Sequence, residues 1–511
     1  MSATDAALSA ATERSGPVVD TVHGRVRGVH GAAVFTFKGI PYAAPPVGPL
    51  RFRAPQPPEP WDGVRDATAF GRIAPQPIQA FPGARPREMS EDCLTVNVYT
   101  PTLEPAGLPV MVWIHGGAYY VGSSADPLYD GTRLAQRGVV VVSFNYRIGP
   151  LGYLDLSSFS TADEVFESNV GQRDQLAALR WVRDNIRAFG GSPDRVTLFG
   201  ESSGAGSVTT MLATPSADGL LHGAIAQSSP AGSVYSSETA RVSAERFLNR
   251  LDIGPGDVDR LRRLPPGSLI EACSRLIVDT VALEPGTIPV APVVDGEFVP
   301  EYPLTAMAKG RALRVPLVIG SNRNEAMLFR LLRSPIVPNS SKAVQQMVER
   351  LGTPEALALP SGYRGYPRLR PALRLSTDAA FRMPTVWAAS AHSKYAPTWA
   401  YEFDFAPPLL RMTGLGALHG AELPHVFDTH VPRVVALGAV ASGRRLTERI
   451  QSRWTSFAAI GDPNPLGMAP YWPRYDTESR LTYVFDGKDG VVADPHGDLR
   501  RAWGDEIIAF R

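Results

Sequence analysis

The apolar run Val196–Phe199 passes straight into Gly200-Glu201-Ser202-Ser203-Gly204, with Ala205-Gly206 behind it. A β-branched stretch of strand length that opens directly into small residues and then a helix must turn within that pentapeptide. Side chains at either glycine of so tight a turn would clash. The central serine is then held in a strained conformation, its hydroxyl exposed at the top of a sheet. The pattern also fits a helix start capped by a serine; the preceding strand and the second pair of small residues favour the turn.

The surrounding chain alternates strand and helix. Val110–Ile114 and Val139–Phe144 are short apolar runs of the kind buried on both faces of a sheet. In Asp174–Phe189, Leu176, Leu179, Val182, Ile186 and Phe189 recur at helical spacing and Gly190-Gly191 supplies a stop, so the spacing predicts an amphipathic helix. Strand, helix and strand in succession imply a right-handed crossover and a largely parallel sheet. Val315–Ile319 and Thr398–Phe403 are two further strands by the same reading. Upstream, Val18–Val22, Arg25–Val29 and Val34–Lys38 are read as a small antiparallel sheet. The proline-dense stretch from Pro41 to Pro60 excludes a central strand or helix interior. Residues 1–16 are read as a disordered arm and 17–511 as one α/β domain. Insertions at about 231–312 and 326–397 are expected to form a cap over one end of the sheet.

Loops at the C-terminal ends of parallel strands converge, and here they begin at His115, Asn145, Gly200 and Gly320, with another after Phe403 leading to His419. His115-Gly116-Gly117-Ala118 offers small residues whose N–H groups can approach a ligand closely, although alone it would be an ordinary glycine turn. A serine hydroxyl needs a base within hydrogen-bond reach and a carboxylate to hold that base. Ser202, Glu325 and His419 stand in the order nucleophile, acid, base. His425 and His430 are the alternative bases and Asp295 the alternative acid. Of the aromatics, Phe81, Tyr119, Tyr120, Phe329 and Trp399 could line a pocket or fill core. The proline-rich 75–89 stretch is a candidate flank for the entrance.

Composition narrows the class. Among 511 residues, 51 basic side chains nearly cancel 50 acidic ones, leaving +1, so no chain-wide basic footprint for nucleic acid or an anionic membrane exists. No apolar stretch approaches transmembrane length, and Met1–Gly16 has no apolar segment of signal-peptide type. Two cysteines, Cys93 and Cys273, exclude a disulfide scaffold. Neither metal-ligand spacing such as H-E-x-x-H nor a phosphate loop occurs. The expectation is a soluble, cytoplasmic enzyme acting on a small molecule without metal or other cofactor.

With these residues in view, the sequence resembles the type-B carboxylesterases, in the bacterial p-nitrobenzyl esterase branch of the cholinesterase-like family. The resemblance is carried by Phe37-Lys38-Gly39-Ile40-Pro41-Tyr42-Ala43, Ser90-Glu91-Asp92-Cys93-Leu94, Trp113-Ile114-His115-Gly116-Gly117-Ala118 and Asn145-Tyr146-Arg147. It continues through Phe189-Gly190-Gly191-Ser192-Pro193, the serine turn, Pro292-Val293-Val294-Asp295-Gly296, His419-Gly420-Ala421-Glu422 and Gly461-Asp462-Pro463-Asn464-Pro465. It implies an α/β-hydrolase fold: a large, mostly parallel sheet flanked by helices, a small N-terminal antiparallel sheet and helical cap insertions. It further implies a cofactor-free serine carboxylesterase for short- to medium-chain or aryl esters. Ser202 would be the nucleophile, Glu325 the acid and His419 the base. Gly117, Ala118 and Ser203 would form the oxyanion hole, with Glu201 the acidic neighbour of the nucleophile. A lipase or amidase would use the same triad, and a non-catalytic adhesion protein of the family would lack part of it.

The chain departs from the family pattern in places. Where secreted members carry a cysteine paired with that of the S-E-D-C run, this sequence has Ile73-Ala74-Pro75-Gln76, which agrees with a reducing compartment. No tryptophan lies between Trp61 and Trp113, so the aromatic that holds a choline cation in cholinesterases has no counterpart. Ser203 replaces the usual alanine, Ser168-Asn169-Val170-Gly171-Gln172 stands for G-N-x-G-L, and Gln227-Ser228-Ser229 for Q-S-G.

Overall fold

The computed structural model describes residues 16–78, 87–429 and 440–504. Its strands are β1 (Val18–Thr21), β2 (Gly24–Arg27), β3 (Val29–His30), β4 (Phe35–Pro41), β5 (Val64–Asp66), β6 (Thr95–Thr100), β7 (Leu108–Ile114) and β8 (Val140–Phe144). There follow β9 (Gly191–Glu201), β10 (Gly223–Gln227), β11 (Tyr235–Ser236), β12 (Val293–Val294), β13 (Leu317–Asn322), β14 (Thr398–Phe403), β15 (Leu481–Phe485) and β16 (Gly490–Ala493). The central sheet runs β16-β15-β14-β13-β10-β9-β7-β8-β6-β4-β3. Its middle, from β15 to β8, is parallel throughout, while the pairings β15–β16, β8–β6, β6–β4 and β4–β3 at the margins are antiparallel.

Burial explains why the central strands read as continuous apolar runs. In β7, Val110, Val112 and Ile114 enter one core and Met111 and Trp113 the other, all fully buried. Helix α1 (Val170–Asn185) packs Leu176, Leu179 and Val182 into the first core, ends in a short 3₁₀ turn and is stopped by Gly190 at φ 79°. Helix α2 (Ser203–Leu212) adds Val208, Met211 and Leu212 to the same core. On the opposite face, the long helix from Val440 to Ile460 sets Trp454 and Phe457 against Trp113, Phe199 and Trp399.

The N-terminal sheet differs from the sequence reading. Phe35–Pro41 pairs antiparallel with β6 in the central sheet, because Phe37 and Ile40 are fully buried against it. The small sheet is β1-β2-β5: β1 and β2 are antiparallel as expected, and its third member, Val64–Asp66, runs parallel to β2 from beyond the prolines. The proposed disordered arm lies outside the described residues apart from Gly16.

The first insertion contains α3 (Ser237–Arg250), α4 (Pro266–Leu283) and the two-stranded parallel pair β11–β12. The second contains α5 (Glu325–Leu331), α6 (Ser341–Leu351), α7 (Leu369–Thr377) and a wide π-helical turn, Asp378–Arg382, leading into α8 (Met383–His392). Helix α8 packs on β13 and β14, so the end of that stretch belongs to the sheet's own covering layer.

Candidate active site

Ser202 joins β9 to α2 with φ 57° and ψ −127°, a region that non-glycine residues occupy only when their surroundings force them. The surroundings do so. The N–H of Ser202 donates to Gln227 O at 2.9 Å, and its carbonyl accepts from Gly206 N–H at 2.9 Å. A Cβ on Gly200 would lie 2.6 Å from the Gly204 carbonyl carbon, and one on Gly204 would press on the carbonyl oxygens of Ile114 and His115. The glycines are therefore required by close backbone approach.

The loop after β7 comes alongside. Gly117, Ala118 and Tyr119 all have positive φ, and the N–H groups of Tyr120 and Val121 both donate to Gly117 O at 3.0 Å. Ser203 opens α2, where a first-turn N–H has no intrahelical acceptor. His115 is buried and stacked on Tyr146, and its Nδ1 lies 2.9 Å from Gly116 O. Burial holds its pKa down at about 4, so it stays neutral.

Glu325 begins α5 just past the end of β13 and is 0% exposed. Its Oε1 accepts from the backbone N–H of Asn322 at 2.7 Å and from the Ser228 hydroxyl at 2.6 Å. Its Oε2 lies 2.6 Å from Nδ1 of His419. The His419 loop is tied to the same strand end: Asn324 N–H donates to Ala417 O at 2.9 Å, and Asn322 Nδ2 donates to Leu418 O at 2.7 Å. The imidazole packs against Phe381, its ring centroid 4.7 Å away, and Phe329, at 5.2 Å, two rings that also stack on each other at 6.2 Å.

Nε2 of His419 faces Glu201, whose Oε1 is 3.1 Å away but outside hydrogen-bond geometry. Burial, with the Glu422 and Glu325 charges, pushes Glu201 up to about 8, against the pull of His419. Burial disfavours the His419 imidazolium, yet the Glu201 and Glu325 charges outweigh it and raise His419 to about 9. Glu422 is also raised, by burial first and by Glu325 second, although it accepts from Gln227 Nε2 at 3.1 Å and Asn322 Nδ2 at 2.5 Å. Three acids thus surround one imidazole.

Ser202, Ser203, Gly117, Ala118, Glu201 and His419 line one cavity of about 350 Å³, with Glu325 directly behind His419. The remaining wall is largely apolar and includes Ile288 from the first insertion and Leu332, Val337 and Phe381 from the second. Tyr119 and Phe329 line it too, whereas Trp399 is core and Tyr120 donates to Ser274 Oγ. Asp295 is engaged elsewhere, by Ser168 Oγ at 2.5 Å and Asn169 Nδ2 at 2.9 Å. His425 Nδ1 is 2.8 Å from Thr447 Oγ1. His430 and Phe81 lie outside the described residues, as does part of the 75–89 stretch. The sequence reading assigns no role to Ser228, Asn322 or Glu422; Ser228 and Glu422 stand in the quoted runs Gln227-Ser228-Ser229 and His419-Gly420-Ala421-Glu422.

Residues 15–362 and 363–493 match the Carboxylesterase family. The chain belongs to that family. It is 41% identical to the para-nitrobenzyl esterase of Bacillus subtilis (strain 168) over 95% of this chain and 98% of that protein. It is 36% identical to the human cocaine esterase over 93% of this chain and 88% of that one. Among solved structures, a PNB esterase superposes with TM-score 0.84 at 39% identity, covering 96% of this chain and all of the other. A Geobacillus stearothermophilus carboxylesterase gives 0.83 at 37%, covering 95% and 99%. The fold is the α/β-hydrolase fold, and the enzyme is a serine carboxylic ester hydrolase acting on small-molecule esters. Among the described residues no helix is long and apolar enough to cross a membrane.

Proposed function

We propose that Ser202, His419 and Glu325 form the catalytic triad, with Gly117, Ala118 and Ser203 donating to the oxyanion. The observation that carries this reading is the 2.6 Å contact between His419 Nδ1 and the fully buried Glu325, at a cavity that His419 shares with the strained Ser202. Ser202 Oγ attacks the ester carbonyl as Nε2 of His419, turning from Glu201, takes its proton. Glu325 holds the imidazole and stabilises the charge that forms on it. Backbone N–H groups stabilise the tetrahedral oxyanion. His419 then protonates the departing alcohol, and water releases the acid by the reverse sequence. No step draws on a cofactor.

The apolar wall favours short- to medium-chain or aryl esters, in keeping with the aromatic alcohol in the name of the para-nitrobenzyl esterase. A cytoplasmic location is part of the same proposal, supported by Cys93 and Cys273, both buried and free. A p-nitrophenyl organophosphonate should abolish p-nitrophenyl acetate hydrolysis, releasing p-nitrophenolate and leaving only its phosphonyl group on the peptide containing Ser202. Label on another serine, or full turnover by Ser202→Ala, would overturn the assignment.

A further inference from the structure

A second cavity, of about 720 Å³, opens on the other side of the wall formed by α7 and the wide turn after it. Ser376, Ala379 and Phe381 of that wall face the ester pocket, while Leu373, Arg374 and Thr377 face the second cavity. Its lining grades from apolar to cationic. Met327, Leu373 and Leu499 are buried or half-buried, and Arg364, Arg370 and Arg374 are exposed around them.

The carboxylates that line this cavity are already engaged. Asp378 accepts from Arg382 and from the hydroxyl of Tyr363, Glu402 from His496 Nε2 at 3.0 Å, and Asp498 from Arg501. Arg323, also on the lining, pairs with Asp404. Among the described residues, no carboxylate lies within ion-pair distance of Arg364, Arg370 or Arg374. Arg374 Nη2 donates to His496 Nδ1 at 3.0 Å, a nitrogen left as acceptor because Nε2 carries the proton toward Glu402. Arg370 lies so close over Gly414 that a Cβ there would come within 2.7 Å of its guanidinium, and it donates to Thr413 O at 3.3 Å. These contacts orient two guanidinium groups without neutralising them. A planar guanidinium with free N–H donors matches carboxylate or phosphate oxygens two at a time.

We propose that this cavity is a second binding site, for a small organic polyanion with an apolar body and two or more carboxylate or phosphate groups. The body would rest on Leu373 and Leu499 and the acidic groups would meet Arg364, Arg370 and Arg374. A cavity of this size is within the range of small-molecule sites.

Titration calorimetry on the full chain, with benzene-1,3,5-tricarboxylate and with benzene-1,3-diyl bis(phosphate), tests the proposal. Saturable one-to-one binding of either is expected, the tighter of the two identifying the preferred acidic group. The uncharged benzene-1,3,5-tricarboxamide should not bind. Binding should persist in Ser202→Ala and weaken about tenfold or more in Arg370→Gln/Arg374→Gln, a variant whose thermal melt should match that of the parent. No saturable binding of either anion below about 10 mM, equal binding of the triamide, or undiminished binding to the double variant would overturn it. Because binding is read without turnover, the outcome is independent of the triad assignment.

Discussion

The hydroxyl of Ser228 donates to Oε1 of Glu325 at 2.6 Å, which leaves Oε2 to meet His419. Ser228 follows the last residue of β10 and has φ 53°, so the sheet itself aims this hydroxyl. Hydrogen bonds to a buried carboxylate stabilise its charged form, each by about 1.5–3 kcal/mol. In Ser228→Ala, kcat for p-nitrophenyl acetate should fall about ten- to a hundredfold with KM nearly unchanged. An unchanged kcat would show that the N–H of Asn322 suffices to hold Glu325.

Glu201 and His419 titrate as a pair. As the proposed base, His419 would accept the serine proton only when neutral, so a pKa raised to about 9 should make kcat/KM climb as pH rises through the neutral and alkaline range. Replacing Glu201 with glutamine removes the largest charge that raises it. The acid limb of the profile should then move toward lower pH by about one unit. A limb that stays in place would mean that Glu325 and Glu422 alone set this pKa.

At Gly116 a methyl group would stand 2.8 Å from Glu201 O, 2.9 Å from Glu201 Oε2 and 3.1 Å from Ser202 Cβ. Gly116→Ala must therefore displace the serine turn rather than unfold the protein. A shift approaching 1 Å costs about a hundredfold in rate. Steady-state kinetics beside a circular dichroism spectrum would separate the two effects, with lost turnover and an intact spectrum expected.

The Arg147–Asp174 pair is buried between strand and helix: Nε donates at 2.8 Å, Nη2 at 2.6 Å, and the Arg147 backbone N–H at 3.0 Å. Asp174→Ala strands a buried guanidinium and should lower stability by about 3–5 kcal/mol in urea melts. Arg147→Met combined with Asp174→Leu should recover most of that loss, because neither charge then remains.

Legibility in the sequence followed local pattern. The bounds Thr398–Phe403 are legible because every residue of that strand is buried and four of the six are β-branched or aromatic. Strand β10 is not legible: Gly223-Ala224-Ile225-Ala226-Gln227 is buried throughout, but Ile225 is its one large apolar residue. With it went Ser228, whose partner is 97 residues away. Spacing alone left His419 and His425 as competitors. What separates them is tertiary, since His425 lies in the short helix Leu423–Phe427 against Thr447. The network of Glu422 with Gln227 and Asn322 joins loops that meet only once the parallel strands are in register. The third strand of the N-terminal sheet was misplaced for a related reason: which sheet claims Phe37 depends on the pairing of β4 with β6.

The turn that carries Ser202 is hemmed in by glycines that cannot accept even one extra carbon, while Ile288, Leu332 and Val337, which line the same cavity, come from the stretches 231–312 and 326–397. On the proposed reading, the reacting groups and the apolar lining sit on separate stretches of the chain. Changes to that lining, one side chain at a time, would leave the proposed triad as it is. Directed selection for new substrates should find its early gains at Ile288, Leu332 and Val337.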